Sequence, residues 1–141
     1  MIVVHMINHV QSRFPERALE WLFACQTAAW GLVLLHPDET FSGQSYSVFS
    51  AVASEETMGV AIAAIGIVYL VALFVNGSLA RASPIVRAAC AAVTFMLYLG
   101  IAIGFLWSGF VSTAWAVYPI EVPFAAYCVY RAMRDRGEAT P

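Results

Sequence analysis

The seven arginines of this chain fall into three clusters, Arg13/Arg17, Arg81/Arg87 and Arg131/Arg134/Arg136, and there is no lysine. Long apolar stretches with almost no charge run between the clusters. Connections on the cytoplasmic side of membrane proteins collect Lys and Arg, so basic clusters in every second connection predict an even number of spans with both chain ends in the cytoplasm. Composition agrees with a membrane solvent: the chain is 61% hydrophobic and only 11% charged, where soluble domains carry roughly 25% charged residues. Its mean hydropathy is +0.75. A length of 141 residues holds one domain, with room for about four spans of ~20 residues. The expected fold is therefore an all-α, integral membrane four-helix bundle, N-in and C-in, forming one membrane domain over residues 1–141.

The expected spans are 18–35, 57–75, 85–107 and 110–130. Pro15 suits an opening helical turn, where its missing N–H would be unpaired in any case. His36-Pro37 closes the first span, and the connection 36–56 holds Asp38, Glu39, Glu55 and Glu56 without any arginine, as an outer loop should. In that loop Tyr46 and Phe49 indicate a short interfacial turn. Ser54 reads as an N-cap, with Glu55 and Glu56 in a first turn where negative charge suits the helix dipole. Asn76-Gly77 breaks the second helix, and Ser83-Pro84 is an N-cap followed by an N1 proline. The short Ser108-Gly109 turn makes the last two spans an antiparallel hairpin. Trp107 and Trp115 sit toward the outer boundary and Tyr127 and Tyr130 toward the inner one, as aromatic belts do. The tail 131–141 is charged and reads as flexible.

Residues 1–14 are apolar but too few to cross a bilayer, and they read as an amphipathic interfacial segment. A secretory leader fits poorly, because no basic residue precedes the apolar run. Leu22-Phe23-Ala24-Cys25 is a poor lipoprotein box, given bulky Phe23 and charged Glu20.

Glu121 carries the most chemical interest, since it lies near the middle of the fourth span between Pro119 and Pro123. A central acid costs about 2.5–3.5 kcal/mol on insertion scales, unless protonation, a cation or a water-lined cavity relieves it. The prolines remove the helical donors to the carbonyls of Trp115 and Pro119. Three readings stand side by side. Glu121 meets Gln26, Thr27 or Tyr69 across the bundle and only fixes packing, or it serves a proton- or cation-linked role, or the span boundary lies elsewhere.

Gly100 and Gly104 form a Gly-x-x-x-Gly pair, with Ala88 and Ala92 at the same spacing, which lets helices approach closely, within the monomer or between copies. His5 and His9 have a spacing that metal ligation uses, but no third ligand lies near, and no metal or haem site is expected. Cys25, Cys90 and Cys128 fall inside spans without a disulfide or zinc pattern and read as buried and inert. No phosphate loop, nucleophile elbow or carboxylate pair appears, so neither an enzyme nor a cofactor is expected. A net charge of −2 speaks against nucleic-acid binding.

Several short signatures occur together: Trp30-Gly31 with Leu34, Thr40-Phe41, Tyr46, Glu55 through Gly59, Val75-Asn76-Gly77, Ser83-Pro84 with Arg87, Tyr118-Pro119, and Tyr127 through Arg131 with Asp135. With them the chain, from Glu16 onward, resembles the small four-span membrane proteins of unassigned function encoded by tailed bacteriophages and prophages of proteobacteria. It departs from that pattern at Glu121, usually an apolar position there, and at Ala125, near which those proteins carry an acid. The resemblance implies a bacterial inner-membrane location and partners limited to the bilayer, further copies of the chain or another membrane or phage protein. It leaves open a holin-like or antiholin-like host-membrane effector, a docking or superinfection-exclusion protein, and a small proton- or cation-linked transporter subunit using Glu121.

Overall fold

The computed structural model describes the backbone of residues 2–75 and 83–138 and the side chains of 14–75 and 85–135. Among these the fold is all-α, with helices α1 (Ile2–Leu34), α2 (Ser47–Val52), α3 (Glu55–Val75), α4 (Ser83–Trp107) and α5 (Ala114–Glu138). The four long helices run up, down, up and down. α1 packs mainly on α3 and α4 mainly on α5, while α3 against α4 joins the two pairs. Two helices, Glu55–Val75 and Ile85–Trp107, are long and apolar enough to cross a membrane.

The α1/α3 interface follows directly from residue size. Ala24, Ala28 and Gly31 face Gly59, Ala63 and Gly66, so both helices carry small residues at the same four-then-three spacing. A Cβ added at Gly31 would collide with the backbone N of Ala63, and one at Gly66 with the backbone N of Ala28. The two helices are therefore in backbone contact, which small residues alone permit.

Several expectations need correction. The first helix does not begin near Ala18: the expected interfacial segment and first span form one helix from Ile2, with Pro15 inside it. Proline costs a helix one internal hydrogen bond and some bending, and the long apolar packing beyond Pro15 outweighs that loss. The last helix begins at Ala114 rather than Phe110. Gly109, at φ +72°, turns the chain in a conformation suited to glycine, and residues 110–113 complete the turn before Trp115 N–H donates to Ser112 O at 3.1 Å. The same helix continues to Glu138, so 131–138 is not a loose tail. Both Pro119 and Pro123 lie inside it.

The connection between α1 and α3 folds into a cap. Thr40–Ser42 and Gln44–Tyr46 form 3-10 turns and lead into α2. Ser54 caps α3, accepting from Thr57 N–H at 3.3 Å. Glu55, in that first turn, reaches back across the loop and accepts from the N–H groups of Thr40 at 2.8 Å and Phe41 at 3.1 Å. Phe41 stacks on Tyr46, and Tyr46 and Phe49 meet Phe105 at the end of α4 edge-on and tilted. Trp115 locks the neighbouring hairpin by donating its indole N–H to Phe105 O at 3.0 Å. Burial raises the Tyr46 phenol above its ordinary range, and the Glu55 carboxylate raises it further.

Within one copy of the chain, Gly100 and Gly104 do not mediate a helix contact as a pair. Gly104 lies under the Phe49 ring, whereas Gly100 is exposed with open space where its Cβ would be. Cys90 and Cys128 are buried, but Cys25 is exposed, because α1 turns Ala24, Ala28 and Gly31 toward α3 and position 25 lies about a quarter turn to the side of that face.

Candidate functional site

Polar side chains gather inside the bundle at two levels. The first lies at the end opposite the cap. There Arg87 of α4 is 1% exposed and Glu20 of α1 is 3% exposed. The pair is bidentate: Arg87 Nη2 donates to Glu20 Oε1 at 2.7 Å, and Arg87 Nε donates to Glu20 Oε2 at 3.0 Å. Tyr69 of α3, fully buried, directs its hydroxyl at Glu20 Oε2 from 3.4 Å. Asp135 of α5 accepts from Arg87 Nη1 at 3.1 Å and from Arg17 Nη2 at 3.4 Å. Four helices thus converge on two arginines and two carboxylates. The guanidinium fork suits this geometry, since it serves one carboxylate bidentately and a second with its remaining N–H groups.

Sequence reasoning assigned Arg17 and Arg87 to orientation only and did not see this cluster. Arg87 is an interior residue of α4, and Asp135 belongs to a helix rather than a tail. Glu121 is likewise not the sole deep acid, because Glu20 is more deeply buried. The available signal was helical spacing: Arg87, Cys90, Ala91, Thr94 and Tyr98 mark one inward face of α4. Of the other orientation arginines, Arg131 and Arg134 lie near the same end on α5, where Arg134 is exposed and Arg131 half-buried. Arg81 lies outside the described residues, as do the side chains of Arg13, Arg136, His5 and His9.

The second level is mid-bundle. Glu121 of α5 is half-buried, and its Oε1 accepts from Gln26 Nε2 of α1 at 2.7 Å. Gln26 was one of the three partners anticipated, while Tyr69 serves Glu20 instead. Glu121 Oε2 is buried and makes no hydrogen bond. Thr27, Thr94 and Tyr98 are buried at this level, and Tyr98 and Tyr118 both lie within electrostatic reach of Glu121. A block of Phe23, Ala24, Cys90, Ala91 and Cys128 separates this level from the ion pairs.

Among the described residues no group of three or more His, Cys, Asp or Glu is arranged to hold a metal ion. Comparison with protein-family models, curated proteins and solved structures found no match.

Proposed function

We propose that all four long helices cross a bacterial inner membrane, with both chain ends and the ion-pair cluster on the cytoplasmic side and the aromatic cap outside. The supporting observation is the inverted dressing of the bundle. Large apolar side chains face outward on every long helix, including Leu22 and Leu32 on α1, Val60 and Ile67 on α3, Met96 and Ile103 on α4, and Ile120 and Phe124 on α5. Glu20, Arg87, Gln26 and Thr27 face inward. Water-soluble bundles have the reverse pattern, and continuous exposed apolar surface marks contact with lipid or protein. The α1 and α5 helices share this dressing although their charged ends make them less apolar overall.

Within that membrane reading the protein is a non-enzymatic host-membrane effector of the holin or antiholin kind, encoded by a phage or prophage. Gly100 supports association in the bilayer, because it opens a notch on the outward face of α4 where a second helix can approach. Timed expression in a bacterial host tests the role. A holin collapses the membrane potential abruptly at a set time, and an antiholin delays that collapse when co-expressed with a holin. Steady growth, an intact potential and no delay would overturn both.

A second reading, as a docking or superinfection-exclusion protein, is favoured by the order of the outer segment. The Glu55 bonds to Thr40 and Phe41 and the stacked aromatic rings make it a preformed platform. Replacing residues 38–53 and retaining exclusion or partner binding would eliminate that reading.

A further inference from the structure

We propose that Glu121 is a proton-binding site loaded from the capped end of the bundle through a cavity beside Tyr46 and Tyr118. The inference rests on the four-span reading and is independent of the effector role.

The first support is the missing counter-charge. Glu121 accepts from Gln26 of α1, and Tyr98 of α4 and Tyr118 of its own helix lie within electrostatic reach. At this level α3 presents Ala63 and Gly66 to α1, and neither residue titrates. Among the described side chains, the charged groups on α1, α4 and on α5 besides Glu121 itself, namely Glu16, Arg17, Glu20, Arg87, Arg131, Arg134 and Asp135, belong to the other end. Along α1, Glu20 is six residues from Gln26, about 9 Å at the helical rise, and Arg131 is ten residues from Glu121, about 15 Å. Glu55, the acid nearest the cap, is engaged with backbone N–H groups. One amide bond does not neutralise a carboxylate, and a buried charge without a partner is expensive. The buried, unbonded Oε2 is the atom on which a proton resides.

The second support is access. A cavity of about 280 Å³ at the capped end is lined by Tyr46, Phe105, Ser112, Thr113 and Tyr118. The Ser112 hydroxyl is buried there without a hydrogen-bond partner. Tyr118 precedes Glu121 by one helical turn and lies within electrostatic reach of both Tyr46 and Glu121. Ser112 and Tyr118 thus bring hydroxyl-bearing side chains to the cavity, and Tyr118 stands one helical turn before the acid. Toward the other end lies the buried cluster of Phe23, Ala24, Tyr69, Cys90, Ala91, Tyr98 and Cys128, and a second cavity of about 200 Å³ stops at Cys128 and the ion-pair residues without Glu121 in its lining, so the capped end is the side assigned to access.

The test uses the full chain and dicyclohexylcarbodiimide, an apolar reagent that adds to protonated carboxyl groups, with the adduct mapped by mass spectrometry. In micelles the adduct forms at Glu121, persists in Glu121→Asp and is absent in Glu121→Gln. Its rate falls about tenfold per pH unit above the midpoint. Difference infrared spectra of the unmutated protein lose a protonated carboxyl stretch over the same range, which keeps the test valid if a variant fails to fold. In sealed vesicles with the cap outward, only the outer pH controls labelling, and Tyr118→Phe slows the response. Labelling that ignores pH overturns the proposal, and sodium protection at constant pH replaces the proton with a cation. Control by the inner pH overturns the access route. Reporter fusions at the chain ends read topology separately, so a failure of the four-span reading is distinguishable from a failure at Glu121.

Discussion

Glu20 and Glu121 are two acids inside one bundle with opposite solutions to burial. Glu20 is held bidentately by the Nε/Nη2 edge of the Arg87 guanidinium with Tyr69 beside it, and Asp135 and Arg17 complete a neutral set. Glu121 has one amide partner and an unbonded oxygen. The first arrangement ties α1, α3, α4 and α5 together with opposite charges in direct contact. The second is structurally incomplete, and incompleteness at a buried acid is what a binding site requires. The contrast separates an acid engaged on both oxygens from one engaged on a single oxygen.

Removing a partner at the compensated end should have the largest effect. Arg87→Ala leaves Glu20 and Asp135 without their main partner and should cost about 3–5 kcal/mol, read as a shift in unfolding by sodium dodecyl sulfate in mixed micelles. The paired change Glu20→Leu with Arg87→Met should recover most of that loss, because a well-packed apolar pair can replace a buried ion pair. If the pair is no better than Arg87→Ala, packing rather than charge holds this end together. Next, the same conservative change can be made at both acids. Glu20→Gln should cost roughly 1.5–3 kcal/mol through its charge-assisted bonds, while Glu121→Gln should stay within about 0.5 kcal/mol. Equal losses in the same assay would end the distinction.

The glycine contacts sharpen the comparison from the packing side. Gly66→Ala should cost about 1–3 kcal/mol, because the new methyl meets the Ala28 backbone rather than a side chain that can swing away. Smallest of all, Gly100→Ala points into open space and should stabilise the isolated helix by up to about 1 kcal/mol. A loss of self-association in crosslinking experiments with no loss of monomer stability would place a partner helix at that notch.

Much of the helical layout was legible in the residues themselves. The Ser54 cap, the Ser108-Gly109 turn and the two apolar helices 57–75 and 85–107 follow from local chemistry, and all lie close to where they were expected. The small residues on α1 and α3 are equally visible in the sequence, but only Gly100 and Gly104 have the Gly-x-x-x-Gly spacing. A motif reports only that close approach is allowed. Whether a glycine meets a backbone, a ring or open space depends on which face its helix turns inward.

The cation cluster was misread for a related reason. Arginines near helix ends read as loop markers, and nothing local distinguishes Arg131, at the rim, from Arg87, at the centre. Helix α1 places Glu20 in line with Arg87 only because Ala24, Ala28 and Gly31 bring it against α3, while α4 and α5 close the other side. Likewise, Gln26 was one of three candidates for Glu121, and the rotation of α1 selected it.

By itself, then, the sequence determined the helical class, the breaks at Ser54 and Ser108-Gly109 and the apolar character of the chain, because these depend on propensity, capping and hydropathy within a few residues; the expected break at Asn76-Gly77 lies outside the described residues. Only the tertiary structure decided which charges are compensated and which acid is left open. Pairing across α1, α4 and α5 joins residues up to 118 positions apart, and it is set by helix rotation and side-chain volume, which no local pattern encodes.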